Sequence, residues 1–258
     1  MTSDFTPIEL LASLAKLGLR LSEDAFKDLL AQASKAKWTP VQLLQRLVEL
    51  EQQEREDRNL AHRAKSACLG SPKALDQFDW LHPRKLDKSL YEALYGSGEF
   101  IEKGQNVLLR GRPGIGKTTL AQHLGLRALQ LGYTVKFATL PAALADLLRQ
   151  ESLPATERRL QRYTKPDLLI LDELGYVPVD AAAADLLFHI ISRRHEKRPT
   201  IITTNLPYKQ WPTVFREASC LGALIDRFAQ HCHTLDIEAD SWRNKRQPLE
   251  DEAGVTIT

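Results

Sequence analysis

The residues whose types and spacing carry the most chemistry are Gly111, Arg112, Pro113, Gly114, Ile115, Gly116, Lys117, Thr118 and Thr119, which fit the phosphate-binding pattern G-x-x-x-x-G-K-[ST]. Glycines at 111, 114 and 116 let successive backbone N–H groups turn inward on phosphate oxygens, where a Cβ would intrude. Lys117 can reach the β- and γ-phosphates of a nucleoside triphosphate as a point charge, and the Thr118 hydroxyl can ligate Mg²⁺. Such a loop has meaning only where a strand runs in and a helix runs out. Residues 106–110 read as a buried strand, and Leu120, Leu124 and Leu129 recur at helical spacing over 119–130.

A second cluster lies downstream. Leu168, Leu169, Ile170 and Leu171 suit a strand buried on both faces, and Asp172 and Glu173 close it. Parallel sheets gather ligands at the carboxyl ends of their strands, which is where these acids fall. Asp172 is placed to hold the Mg²⁺ shell, and Glu173 to polarise an attacking water, the step that separates hydrolysis from binding. Another β-branched strand over 199–205 ends in Asn205. Its amide can hydrogen-bond water and γ-phosphate, or simply form the turn at the strand's end.

Basic residues gather between and after these strands. Helical pieces at 141–150 and 155–163 carry Arg149, Arg158, Arg159 and Arg162, followed by Lys165, against Asp146, Glu151 and Glu157. A second basic stretch runs from Arg193 and Arg194 to Arg198 at the end of a helix predicted over 181–194. Charge runs of this kind are solvated faces or, beside a nucleotide site, surfaces that track DNA phosphates. Phe78, Trp80, Leu81, Tyr91, Leu94 and Tyr95 precede the first strand and either line an adenine pocket or pack for their area. The triplet His231-Cys232-His233 alternates within a strand predicted over 231–237, so its side chains diverge. No second ligand pair of zinc spacing accompanies it, and a metal centre there is not expected.

The scaffold for these residues is bounded by composition. At 258 residues the chain suffices for one α/β core and a small appendage, and 43% hydrophobic with 26% charged residues is the balance of a globular protein. A net charge of +2 gives no global pull on nucleic acid, so any DNA contact must come from local clusters. No apolar run has membrane-spanning length, and Met1-Thr2-Ser3-Asp4 does not open a secretory leader. The three cysteines form no C-x-x-C pair, which suits a reducing cytoplasm.

Residues 1–70 read as all-helical. Thr6-Pro7-Ile8-Glu9 and Thr39-Pro40-Val41-Gln42 are capping boxes with proline at the first helical position, Gly18 is a stop, and Ser22 is a further cap. The third helix turns charged almost all round from Glu51 to Arg58, as in a solvent-bridging extension. Gly70-Ser71-Pro72 marks a boundary. The expected division is a helical domain at 1–70, a core at 71–247 and a loose acidic tail at 248–258. The N-terminal domain is either a bundle that packs and docks or a module for DNA or a partner protein.

In order along the chain, G-R-P-G-I-G-K-T-T, L-L-I-L-D-E-L-G-Y, a strand ending T-T-N, I-D-R-F and S-W-R resemble the motifs of AAA+ ATPases. The resemblance is greatest to the IstB-like ATP-binding proteins, helper ATPases of insertion-sequence transposition related to DnaC-like helicase loaders. It covers about residues 70–247, and D-E-L-G-Y is its most characteristic part. It implies an α/β P-loop AAA+ ATPase core, a parallel sheet flanked by helices, behind the small all-helical N-terminal domain. It further implies Mg²⁺-dependent ATP hydrolysis, a homo-oligomer with ATP sites at subunit interfaces, and duplex DNA and a transposase as partners. By the same resemblance Asn205 is the first sensor, Arg227 the arginine finger on a neighbouring subunit's γ-phosphate, and Arg243 a second sensor. An arginine supplied in trans would neutralise charge on the transferred phosphoryl group, so hydrolysis would require assembly. Arg112 departs from the proline usual in these proteins, and the stretch after Ser241 leaves no room for a long helical lid, which leaves Arg243's role open.

Two other readings remain: a replicative helicase loader acting with single-stranded DNA, and an interaction module that switches with nucleotide but does not turn it over. Glu173 argues against the second. A GTPase is disfavoured because Asn244-Lys245-Arg246-Gln247 lacks the aspartate of a base-reading N-K-x-D, and a translocating helicase because no second P-loop core follows.

Overall fold

The computed structural model describes residues 6–71, 75 and 78–240, so Arg243 and the acidic tail lie outside the described residues. The chain forms two compact units that divide between Arg63 and Ala64, within a helix and ahead of Gly70.

The first unit contains α1 (Pro7–Lys16), α2 (Glu23–Ala36) and most of α3 (Pro40–Ala67). Thr6 and Glu9 form the reciprocal capping box, and Thr39 and Gln42 exchange the same pair of bonds. Ser22 precedes α2 without capping it. Its hydroxyl goes instead to Glu54 at 2.7 Å, and Glu54 also accepts the Ser22 amide at 2.9 Å. Leu21, Phe26 and Leu29 make a small core against Leu43, Leu47 and Leu50. The charged continuation of α3 is not solvated all round. Glu51 is 3% exposed, accepts the Arg20 amide at 2.8 Å, and meets Arg55 and Arg58 at 3.0 and 3.1 Å. A carboxylate so fully paired can be buried where an isolated one could not.

The second unit is built on five parallel strands: β1 (Val107–Gly111), β2 (Val135–Thr139), β3 (Leu168–Leu174), β4 (Thr200–Thr204) and β5 (His233–Ile237). Their order is β2-β3-β4-β1-β5, each pair parallel. The interior strands β1, β3 and β4 are buried on both faces for most of their length, which is why they read as apolar runs without alternation. The chain leaves β1 toward β2 on one side and returns to β5 on the other, so the crevice at the carboxyl end of β1 is a topological switch point.

Helices flank this sheet: α4 (Lys88–Ser97), α5 (Glu99–Glu102), α6 (Lys117–Gln130), α7 (Leu140–Leu148), α8 (Leu153–Thr164), α9 (Ala181–Arg194), α10 (Trp211–Val214) and α11 (Leu221–Ala229). Leu171, Ile202, Leu187, Trp211 and Phe228 join one core from two strands and three helices. The segment before α4 is strapped along β5. Glu238 O accepts Arg84 N–H at 2.7 Å, and Glu238 N–H donates to Lys85 O at 3.0 Å, covering part of that edge strand. No described helix is long and apolar enough to cross a membrane.

Candidate functional site

The phosphate loop leaves β1 at Gly111 and opens α6 at Lys117. Gly116 stands at the N-cap with φ +94, and it makes no side-chain cap bond, so the helix presents its N-terminal end to the loop. A Cβ on Gly116 would come within 2.8 Å of the Phe78 ring. Phe78 is thus placed against the loop. Tyr91 is buried and donates its hydroxyl to Leu120 O at 3.2 Å, and Trp80 sits between the two rings at 4.8 and 5.3 Å. Packing therefore accounts for Tyr91 and Leu94. The Lys117 ammonium is folded onto Gly111 O and Arg112 O, each at 2.8 Å, carbonyls it would exchange for phosphate oxygens.

Opposite the loop, Thr118 donates its hydroxyl to the Asp172 carboxylate at 3.0 and 2.9 Å. These hard oxygen donors from α6 and β3 suit Mg²⁺, which favours one or two carboxylates plus substrate phosphates. Asp172 is 3% exposed, and Thr203 of β4 also hydrogen-bonds it. At the next residue the ladder breaks: Leu171 pairs with Ile202 and Leu174 with Thr204, leaving Asp172 and Glu173 opposite the single residue Thr203. This bulge puts Glu173 at φ +66, a left-handed conformation rare outside glycine, and its side chain is exposed. Asn205 follows β4, and its Oδ1 is buried with no hydrogen-bond partner among the described residues. Gly175, with φ +100, is required beside it, because a Cβ there would reach Asn205 Oδ1 at 2.9 Å.

A cleft of about 540 Å³ opens beside the loop, lined by Gly111, Arg112 and Asn205 and walled by Arg84, Arg110 and Asp236. Arg110 and Asp236 form a bidentate pair across β1 and β5 at 2.6 and 2.7 Å. That pair raises the arginine's pKa, an effect led by the hydrogen bonds.

Comparison with known proteins agrees with this geometry. The profile of the family described as IstB-like ATP binding protein matches residues 12–249. The chain belongs to that family. A Pseudomonas aeruginosa protein, named for insertion sequence IS21 and for ATP binding, is 34% identical over 239 residues, 93% of this chain and 90% of its own. A Geobacillus stearothermophilus relative named for IS5376 and ATP binding is 32% identical over 211 residues, covering 82% and 84%. Among solved structures, DnaI shares the fold at a TM-score of 0.53 and 20% identity, covering 66% of this chain and 92% of that one. This IstB-like protein accordingly belongs to a family described by ATP binding.

The basic residues divide in a way their spacing did not show. Arg149, Arg158, Arg162 and Lys165 are exposed around α8. Arg159 pairs with Asp146 at 3.0 Å, and Arg193 holds Glu157 through two bonds of 2.6 and 2.9 Å. Arg194 is not a surface residue at all. It is 1% exposed and donates to the carbonyls of Tyr163, Thr164, Pro166, Asp167 and Pro199 and to the Thr200 hydroxyl. Burial, then the nearby Arg198 charge, lowers its pKa to about 9, which leaves it charged at neutral pH. It is withdrawn from the DNA-facing set because its fork is spent pinning the starts of β3 and β4 together.

Arg227 lies on α11 with its guanidinium over the Phe188 ring at 4.8 Å and bonded to Ser192, both on α9. The residues missed from sequence are Thr203, Gly175 and the Arg110–Asp236 pair. Thr203 had a signal in the two threonines of T-T-N, and Gly175 in the glycine of D-E-L-G-Y. Of the His-Cys-His triplet, His233 meets Gln105 at 3.1 Å and Cys232 lies beside the Tyr208 hydroxyl, with burial pushing the thiol up to about 11.

Proposed function

We propose that this IstB-like protein hydrolyses ATP with Mg²⁺, assembles on duplex DNA when ATP is bound, and assists a transposase before hydrolysis resets it. The observation that carries the hydrolytic part is Glu173. It stands one residue beyond the buried Asp172, solvent-exposed on the bulge opposite Thr203. Lys117 and the amides of α6 hold the phosphates, and Thr118 and Asp172 would hold the metal, which supplies charge neutralisation across the phosphate oxygens. Glu173 accepts a proton from water, and Asn205, through its unpartnered Oδ1, orients that water by accepting a hydrogen bond from its other O–H.

Arg227 is offered to a neighbouring copy's γ-phosphate by leaving Phe188 and Ser192. DNA is held by phosphate contacts from Arg149, Arg158, Arg162 and Lys165, so binding is sequence-tolerant and steeply salt-dependent. Support for the transposition context comes from the insertion-sequence relatives named above.

The test is to size the protein with and without ATP and duplex DNA while following phosphate release, with Arg227→Ala as control. Assembly should need both ligands, and Arg227→Ala should bind nucleotide yet release no phosphate. Full turnover by a strict monomer would sink the reading.

A further inference from the structure

The geometry points to Thr203 as a positioning residue that ties the metal-holding carboxylate to the backbone pose of the catalytic glutamate. The inference rests on the hydrolytic reading above and goes beyond it.

Two hydrogen bonds meet at the Thr203 hydroxyl. It donates its one proton to the Asp172 carboxylate at Oδ1. The Glu173 amide can only donate, and it does so to Thr203 Oγ1 at 3.1 Å. One side chain on β4 therefore grips two consecutive residues of β3 by different atoms, a carboxylate and an N–H.

Toward β4, those residues are the pair that the bulge leaves without register partners, while Asp172 keeps Thr139 on the β2 side. In a regular ladder the Glu173 N–H would meet a backbone carbonyl. Here the hydroxyl takes that place, and Glu173 is held at φ +66. A non-glycine residue keeps such a conformation only where its surroundings over-determine it. Thr203 is 1% exposed, so no water replaces the bond if the hydroxyl is lost.

The adjacent threonine completes the splice. Thr204 donates its hydroxyl to Leu174 O at 2.8 Å and accepts Leu206 N–H at 3.1 Å, which fixes the turn carrying Asn205. Thr203 thus serves the acids on β3, and Thr204 serves the amide after β4. Because Asp172 accepts hydrogen bonds from both Thr118 and Thr203, metal arriving at the Thr118 side would find the carboxylate still oriented from the other.

Two variants separate hydroxyl from shape. Thr203→Val keeps the shape and removes both bonds, whereas Thr203→Ser keeps the hydroxyl and loses the methyl. The non-enzymatic readout is the Mg²⁺ concentration that half-saturates binding of a fluorescent ATP analogue, measured in the Glu173→Gln background where no turnover intervenes. Thr203→Val should raise that concentration about tenfold, as expected for a lost hydrogen bond to a charged group. In the otherwise unmodified chain it should lower kcat about ten- to a hundredfold, with little change in KM. Thr203→Ser should stay within about threefold of wild type on both measures.

Wild-type behaviour of folded Thr203→Val overturns the proposal. So does a Thr203→Ser variant as impaired as a valine would be, which would assign the role to packing and decides the matter even if Thr203→Val fails to fold. Nucleotide binding that ignores Mg²⁺ in the unmodified protein overturns it too. Absence of phosphate release from the unmodified protein, with the Mg²⁺ shift present, would instead reject hydrolysis and keep Thr203 as the metal-site tether.

Discussion

The two edges of the sheet treat polar side chains in opposite ways. At the edge where strands begin, every polar group named here is consumed. Arg194 gives its fork to five carbonyls and a hydroxyl. Asn106 uses both ends of its amide, on Phe228 O at 2.9 Å and Thr200 N–H at 2.8 Å. Asp167 takes the Thr134 amide and hydroxyl at 2.8 and 2.7 Å. At the edge where strands end, groups are held in place but left unfinished. Among the described residues Asn205 Oδ1 has no hydrogen-bond partner, Glu173 faces solvent from a strained backbone, and Lys117 rests on carbonyls of its own loop. Satisfied polar groups at one end stabilise the frame, and incomplete ones at the other are available to a ligand.

The contrast can be broken most severely at Glu173. Glu173→Gln should reduce phosphate release by about a thousandfold or more while leaving ATP affinity and thermal midpoint near wild type. A parallel loss of stability would mean that the glutamate belongs to the frame. Next in size is Arg194→Leu, which strands several buried carbonyls and should cost more than about 3 kcal/mol in denaturant unfolding. Nucleotide affinity in the folded fraction should not change. Weakened DNA binding without destabilisation would restore Arg194 to the surface role its sequence position suggested.

Asn205→Ala sharpens the comparison from the other side. Its oxygen supports nothing in the fold, so stability should stay within about 0.5 kcal/mol while kcat falls about ten- to a hundredfold. The smallest expected effect is on the exposed helix α8. Arg158→Ala or Arg162→Ala should each weaken duplex binding by a few-fold, roughly equally across sequences, and reduce the salt-dependence slope by about one. Unchanged salt slopes for both would remove α8 from the DNA surface.

The legibility of the molecule follows the same division. The loop from Gly111 to Thr119, the strand ending in Asp172 and Glu173, and helix α9 over Ala181–Arg194 were readable because each depends on neighbours in sequence: glycine spacing, an apolar run, helical periodicity. Glu51 and Arg194 were misplaced for a common reason. Charge patterning assumes that charged residues seek water, yet each is buried by partners from distant segments. Arg193 and Arg194 are adjacent and chemically identical, and one full rotation step around α9 sends the first to Glu157 on the surface and the second inside.

By itself the sequence determined that a triphosphate loop exists, which strand carries the acids, and that the strands lie in a parallel α/β core, because short-range spacing and burial pattern encode those features. Only the tertiary structure decided that Thr203 lies opposite the bulge, that Asn205 keeps an unclaimed oxygen, and that Arg194 belongs to the interior. Those facts depend on register between strands and on which carbonyls converge, and neither is written in the order of residues along one strand.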